Sequence, residues 1–144
     1  GVLCDETTQV APGIVACGDV ARWPNPLFGE TMRVEHWEHT IDMAGHAARR
    51  LLAGDGPAEP YAPVPYFWSD QYDRKIQLAG NVRGSDEVAV VAGSVDDRRF
   101  CALYGRAGQV VGALTMNMPA KVINYRRRIG EGLSWAEAMA EASQ

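Results

Sequence analysis

Apolar positions change period at identifiable points along the chain, and each change predicts an element. The first 22 residues read as extended segments around a turn. GVLCD is a short strand, ETTQVAPG a polar connection, and IVACGD a buried strand ending in Gly18-Asp19. RWPNPLFGE, residues 22–30, holds two prolines and a glycine and reads as a loop. From Thr31 the period becomes helical. Trp37, Ile41, Ala44, Ala48, Leu51 and Leu52 recur at helix spacing with charged residues between them. They predict a helix of about five turns that starts near Val34 or Glu35 and stops at Gly54, with Arg49 and Arg50 suiting its C-terminal dipole.

AGDGPAEPYAPVP, residues 53–65, carries four prolines and two glycines and is the best linker candidate. It divides the chain into residues 1–58 and 59–144. Beyond it the period turns to strands. KIQLAGN alternates apolar and polar positions, and EVAVVAGS, RRFCALYG and QVVGALTMN follow with polar or glycine turns between. Such short connections favour antiparallel pairing. Pro119 opens a helix carrying Val122, Ile123, Tyr125 and Ile129, which Gly130 and Gly132 break. Ser134 and Glu137 then form a capping box for a last, alanine-rich helix. The expected fold is α+β: an antiparallel sheet of about four strands with covering helices, preceded by strands and one helix that cannot close a core alone.

Composition narrows the function classes. With 144 residues, 47% apolar and 22% charged, the sequence is that of a globular protein, and one core or slightly more is within reach. A formal charge of −4 and a pI near 5.3 argue against nucleic acid or anionic lipid as partner. No apolar run approaches the roughly 18 residues a membrane helix needs, and no signal-peptide pattern opens the chain. A cytoplasmic location is the expectation. Cys4, Cys17 and Cys101 are far apart and form no C-x-x-C pair, so they read as buried thiols rather than a zinc or dithiol centre.

Several residues could carry chemistry. Asp19 ends a small-residue strand, where Gly18 lets the chain turn and a carboxylate can accept hydroxyl hydrogen bonds; the alternative is a local turn cap. His36 and His39 lie three apart in EHWEH, with His46 further on. That spacing is not H-E-x-x-H, and a solvated helix face is the reading preferred to a metal site. YFWSDQYD, residues 66–73, packs four aromatics beside Ser69 and Asp70, which suits a flat ligand or a packed junction. Arg126, Arg127 and Arg128 form the strongest positive run, able to attract an acidic partner or simply to face solvent. The chain has no G-x-G-x-x-G, P-loop or G-x-S-x-G, so a complete nucleotide site is not encoded.

TTQVAPGIVACGDVAR resembles the second FAD-contacting motif of pyridine-nucleotide-dependent flavoprotein reductases, T-x-x-x-x-P-x-I-x-A-x-G-D. Together with RVEHWEHTIDMAGHAARRLLAG and VPYFWSDQYDRKIQLAG, it is similar to the C-terminal third of the FAD-dependent ferredoxin reductases, the group of putidaredoxin reductase, dioxygenase reductases and apoptosis-inducing factor. The resemblance implies that residues 1–58 are a remnant of an α/β FAD-binding domain and residues 59–144 the reductase interface domain. It implies cofactor-binding roles for Gly18, Asp19, Glu35, His36, Trp37 and Trp68, with Asp19 accepting a hydrogen bond from the FAD ribityl chain and Trp68 beside the isoalloxazine. The implied reaction passes electrons from NAD(P)H through FAD to an iron–sulfur ferredoxin serving a monooxygenase or dioxygenase. Docking would involve Arg126, Arg127 and Arg128, and a homodimer is an open expectation. Without the FAD glycine motif and the NAD(P) domain, the chain is expected to be an inactive fragment of that enzyme. The alternative is a non-catalytic module binding an acidic partner.

Overall fold

The structure is a computed structural model describing residues 1–143. It comprises two compact units, Gly1–Pro65 and the chain from Tyr66 on.

In the first unit, β1 (Val2–Leu3) runs parallel to β4 (Ala21–Asn25), which pairs antiparallel with β5 (Glu30–Met32). The segment expected to be a loop is therefore strand, turn and strand. Its prolines are tolerated because β1 reaches only Ala21 and Arg22, leaving one side of β4 unpaired at Pro24. Asn25 makes the turn, accepting from the Leu27 N–H at 3.0 Å and donating to the Pro63 carbonyl at 3.0 Å. The polar connection also differs from expectation. Gln9–Ala11 (β2) and Ile14–Val15 (β3) form a small hairpin, and the expected strand IVACGD is strand only at its start. Its end, Gly18–Val20, is a 3₁₀ turn.

Helix α1 spans Trp37–Leu52, starting later than its periodicity suggests. The rotation is the larger surprise. His39, Met43 and Ala47 face inward, whereas Trp37 is 71% and Leu52 88% exposed. The apolar stripe read from the sequence is the outer face, and the expected solvated histidine face is the inner one. Trp23 explains this: its fully buried ring stacks on His39 at 5.0 Å, and its indole N–H donates to the Tyr61 carbonyl at 2.9 Å. Cys4, Ala21, Met32, Val34 and Met43 complete the core. Tyr61 also donates its N–H to Glu6, so the proline-rich segment straps back onto this unit.

The second unit is a five-stranded antiparallel sheet in the order β6 (Tyr66–Gln71), β7 (Arg74–Gly80), β10 (Gln109–Met116), β9 (Arg99–Arg106), β8 (Glu87–Ser94). The strand beyond the expected four is β6, whose aromatics and polar residues masked its alternation. Helices α2 (Pro119–Gly130) and α3 (Trp135–Ala142) pack against the sheet, burying Val122, Tyr125, Ile129 and Ala138. The α3 cap forms as expected, with Ser134 Oγ accepting from the Glu137 N–H at 3.2 Å. Gly105 is required here: a Cβ on it would lie 2.6 Å from the Trp135 ring. Among the described residues, no helix is long and apolar enough to cross a membrane.

Candidate functional site

The packing of α1 on the Gly18–Val20 turn brings separated parts of the sequence together. Gly18 has φ +69°, in the left-handed region, and a Cβ there would meet Thr40 Cγ2 at 3.0 Å. This close approach sets Asp19, exposed to solvent, against the first turn of α1. The Thr40 hydroxyl shares its one proton between Asp19 Oδ1 at 3.3 Å and the His36 carbonyl at 3.2 Å, and Arg33 Nε donates to the Asp19 carbonyl at 2.8 Å. Arg33 also pairs with Glu35. His36 is the N-cap of α1, in extended conformation and without a side-chain cap bond. The result is an exposed carboxylate beside a helix N-terminus whose dipole favours negative charge.

Of the six residues singled out, Gly18, Asp19, Glu35, His36 and Trp37 therefore gather at one end of α1. Trp68 belongs to the other unit, on the edge strand β6. It is 39% exposed, and its ring stacks on Tyr66 at 5.9 Å and 29°. Sequence reasoning missed Thr40 and Arg33. Thr40 lies four residues after His36, a spacing that would have marked it as a neighbour of the helix start.

The three arginines have separate surroundings. Arg127 bonds to Glu131 at 2.7 Å, and Arg128 bonds to Glu141 at 2.6 Å and to Glu137 at 3.2 Å. Arg126 lies over the Tyr66 ring, 5.1 Å from its centroid. The cysteines are free thiols, with Cys4 and Cys101 buried and Cys17 partly so. Burial pushes the Cys101 thiol up to about 11. Among the described residues, no group of three or more His, Cys, Asp or Glu could hold a metal ion.

Comparison with known proteins supplies the family. The chain is 34% identical over 134 residues to the anthranilate 1,2-dioxygenase system ferredoxin–NAD(+) reductase component of Burkholderia cepacia, covering 92% of this chain and 32% of that protein. It is 31% identical to the 3-phenylpropionate/cinnamic acid dioxygenase ferredoxin–NAD(+) reductase component of Photorhabdus laumondii, covering 94% of this chain and 35% of that one. The chain thus spans about a third of the length of these relatives. Among solved structures, putidaredoxin reductase in its covalent complex with putidaredoxin superposes with a TM-score of 0.82 at 27% identity, covering 99% of this chain and 36% of that one. The family model described as "Reductase C-terminal" matches residues 66–143, the five-stranded sheet and its two helices, and the chain belongs to that family.

Proposed function

We propose that this chain is the C-terminal part of an FAD-dependent NAD(P)H:ferredoxin oxidoreductase, with residues 1–58 the tail of the FAD-binding domain and residues 59–144 the interface domain. The reading rests on the family of the second unit and on the ferredoxin–NAD(+) reductase activity for which the two relatives are named, both components of dioxygenase systems. The observation that carries it is the Gly18–Asp19–Thr40 cluster at the N-terminus of α1.

These residues suit a flavin. Gly18 leaves no side chain in a tight cradle, Asp19 offers an exposed acceptor for ribityl hydroxyls, and the α1 N-terminus suits a developing negative charge. Glu35, His36 and Trp37 would line the same end, and Trp68 would flank the ring system. When bound, FAD supplies hydride acceptance from NAD(P)H and single-electron release to an iron–sulfur protein. Thr40 and Arg33 hold the Asp19 loop in place for that contact. Arg126, Arg127 and Arg128 are the proposed docking element for the ferredoxin. Glu131, Glu137 and Glu141 temper its positive charge, so each docking contact competes with an internal pair.

The test is Asp19→Ala in the parent enzyme. Loss of one charged acceptor should weaken FAD binding by about 1.5–3 kcal/mol, roughly tenfold or more, and show as reduced flavin absorbance per protein after dialysis. Stoichiometric FAD retained after dialysis would remove Asp19 from the site.

A further inference from the structure

The sheet shows how Trp68 is held, a point that rests on the flavin-site reading for its functional consequence but not for its geometry. On β6, Tyr66 and Trp68 alternate onto one face, the face covered by α2. Trp68 stands half-exposed on this edge strand, whose one sheet neighbour is β7. Tyr66 provides a flat surface at 5.9 Å.

Tyr66 is itself gripped from two directions. Gln77, opposite Trp68 in the register and only 3% exposed, donates its side-chain amide to the Tyr66 hydroxyl at 2.6 Å. From above, the Arg126 guanidinium lies 5.1 Å from the Tyr66 ring centroid. Arg126 flanks the buried stripe of Val122, Tyr125 and Ile129, so the packing of α2 fixes where the guanidinium can reach. Opposite Tyr66 stands Ala79, fully buried and too small to displace the ring. We propose that Tyr66, clamped between Gln77 and Arg126, is a positioning residue that sets the orientation of the Trp68 indole. Arg126 on this account serves the site as well as the arginine run to which the sequence assigns it.

Fluorine NMR of the 144-residue chain carrying 5-fluorotryptophan tests this, since its four tryptophans give separate signals assignable by single Trp→Phe changes. Tyr66→Leu and Arg126→Met should each shift and broaden the Trp68 resonance while leaving those of Trp23 and Trp135 in place. Arg126→Lys, which keeps a cation over the ring, should restore most of the native signal. If Tyr66→Leu fails to fold, collapse of all the tryptophan signals will reveal it, and Arg126→Met then decides. A Trp68 resonance unmoved in a folded variant overturns the proposal. A second arm, stopped-flow flavin reduction by NAD(P)H in the parent enzyme, should show Tyr66→Leu slowed by roughly tenfold or more. A moved resonance with an unchanged rate upholds the positioning role and removes Trp68 from the flavin site instead.

Discussion

Burial beneath the Trp23 ring pushes the His39 imidazole from its ordinary 6.5 down to about 4, with His36 adding to the shift and Asp42 and Asp19 opposing it. Between these two values the unfolded chain takes up a proton that the folded chain refuses. The stability associated with neutral His39 is full above about pH 6.5 and declines as pH falls toward 4. The melting temperature should therefore drop across that window, and His39→Phe, which keeps a ring against Trp23, should flatten the decline. His46, shifted the same way mainly by burial, leaves a residual slope. Identical slopes in the two proteins would show that His39 is not the titrating group.

Among the elements, the connection from β7 to β8 is tied down by the Asp86–Arg106 ion pair. Asp86, its side chain almost fully buried, accepts from Arg106 Nε at 2.7 Å and from Nη2 at 2.9 Å. Arg106 Nη2 also donates to the Asn81 carbonyl at 2.9 Å, and Asp86 takes the Arg83 N–H at 2.6 Å. The Arg106 guanidinium holds the Asp86 carboxyl below the usual carboxylate range. Asp86→Asn removes the charge from a site built around it and should cost about 2 kcal/mol. Denaturant unfolding would measure that cost, and hydrogen exchange should quicken at residues 81–86 ahead of the sheet. Unchanged exchange there would mean that backbone pairing alone holds the connection.

At the scale of the whole molecule, the outer face of α1 is the feature a water-facing protein would not be expected to keep. Trp37, Ile41 and Leu52 project outward, 71%, 53% and 88% exposed, and Leu3, Ile14 and Val20 of the same unit are more than half exposed. Exposed apolar residues in such number mark a surface that another body covers. On the proposed reading, that body is the remainder of the FAD-binding domain. The isolated chain should then self-associate reversibly, and a Trp37→Glu, Leu52→Glu double variant should shift it toward monomer in sedimentation velocity. A wild-type chain that stays monomeric at high concentration would argue that the stripe needs no cover.

Much of this protein follows from local sequence alone. The strands β7 to β10, the α2 start at Pro119 and the Ser134 cap are set by alternation, a ring-locked φ and a side-chain acceptor, all of which act within a few residues. The G-D turn and the aromatic cluster were likewise visible as candidates, because their residue types are unusual where they stand. The rotation of α1 was not legible. Its apolar stripe is strong, but the inward face is chosen by Trp23, Tyr61 and Met43 meeting from three separate segments. Nor was β6, since Trp68 and Asp70 share a face with Tyr66 and mix apolar with acidic there, so no clean period shows until β7 pairs with it. The site divides in the same way. Chain order determined which residues were chemically capable, whereas the approach of Thr40 to Gly18 and the clamp on Tyr66 arise only between elements far apart in sequence. Local rules act through neighbours along the chain, and burial, which selects a face and a partner, acts through neighbours in space.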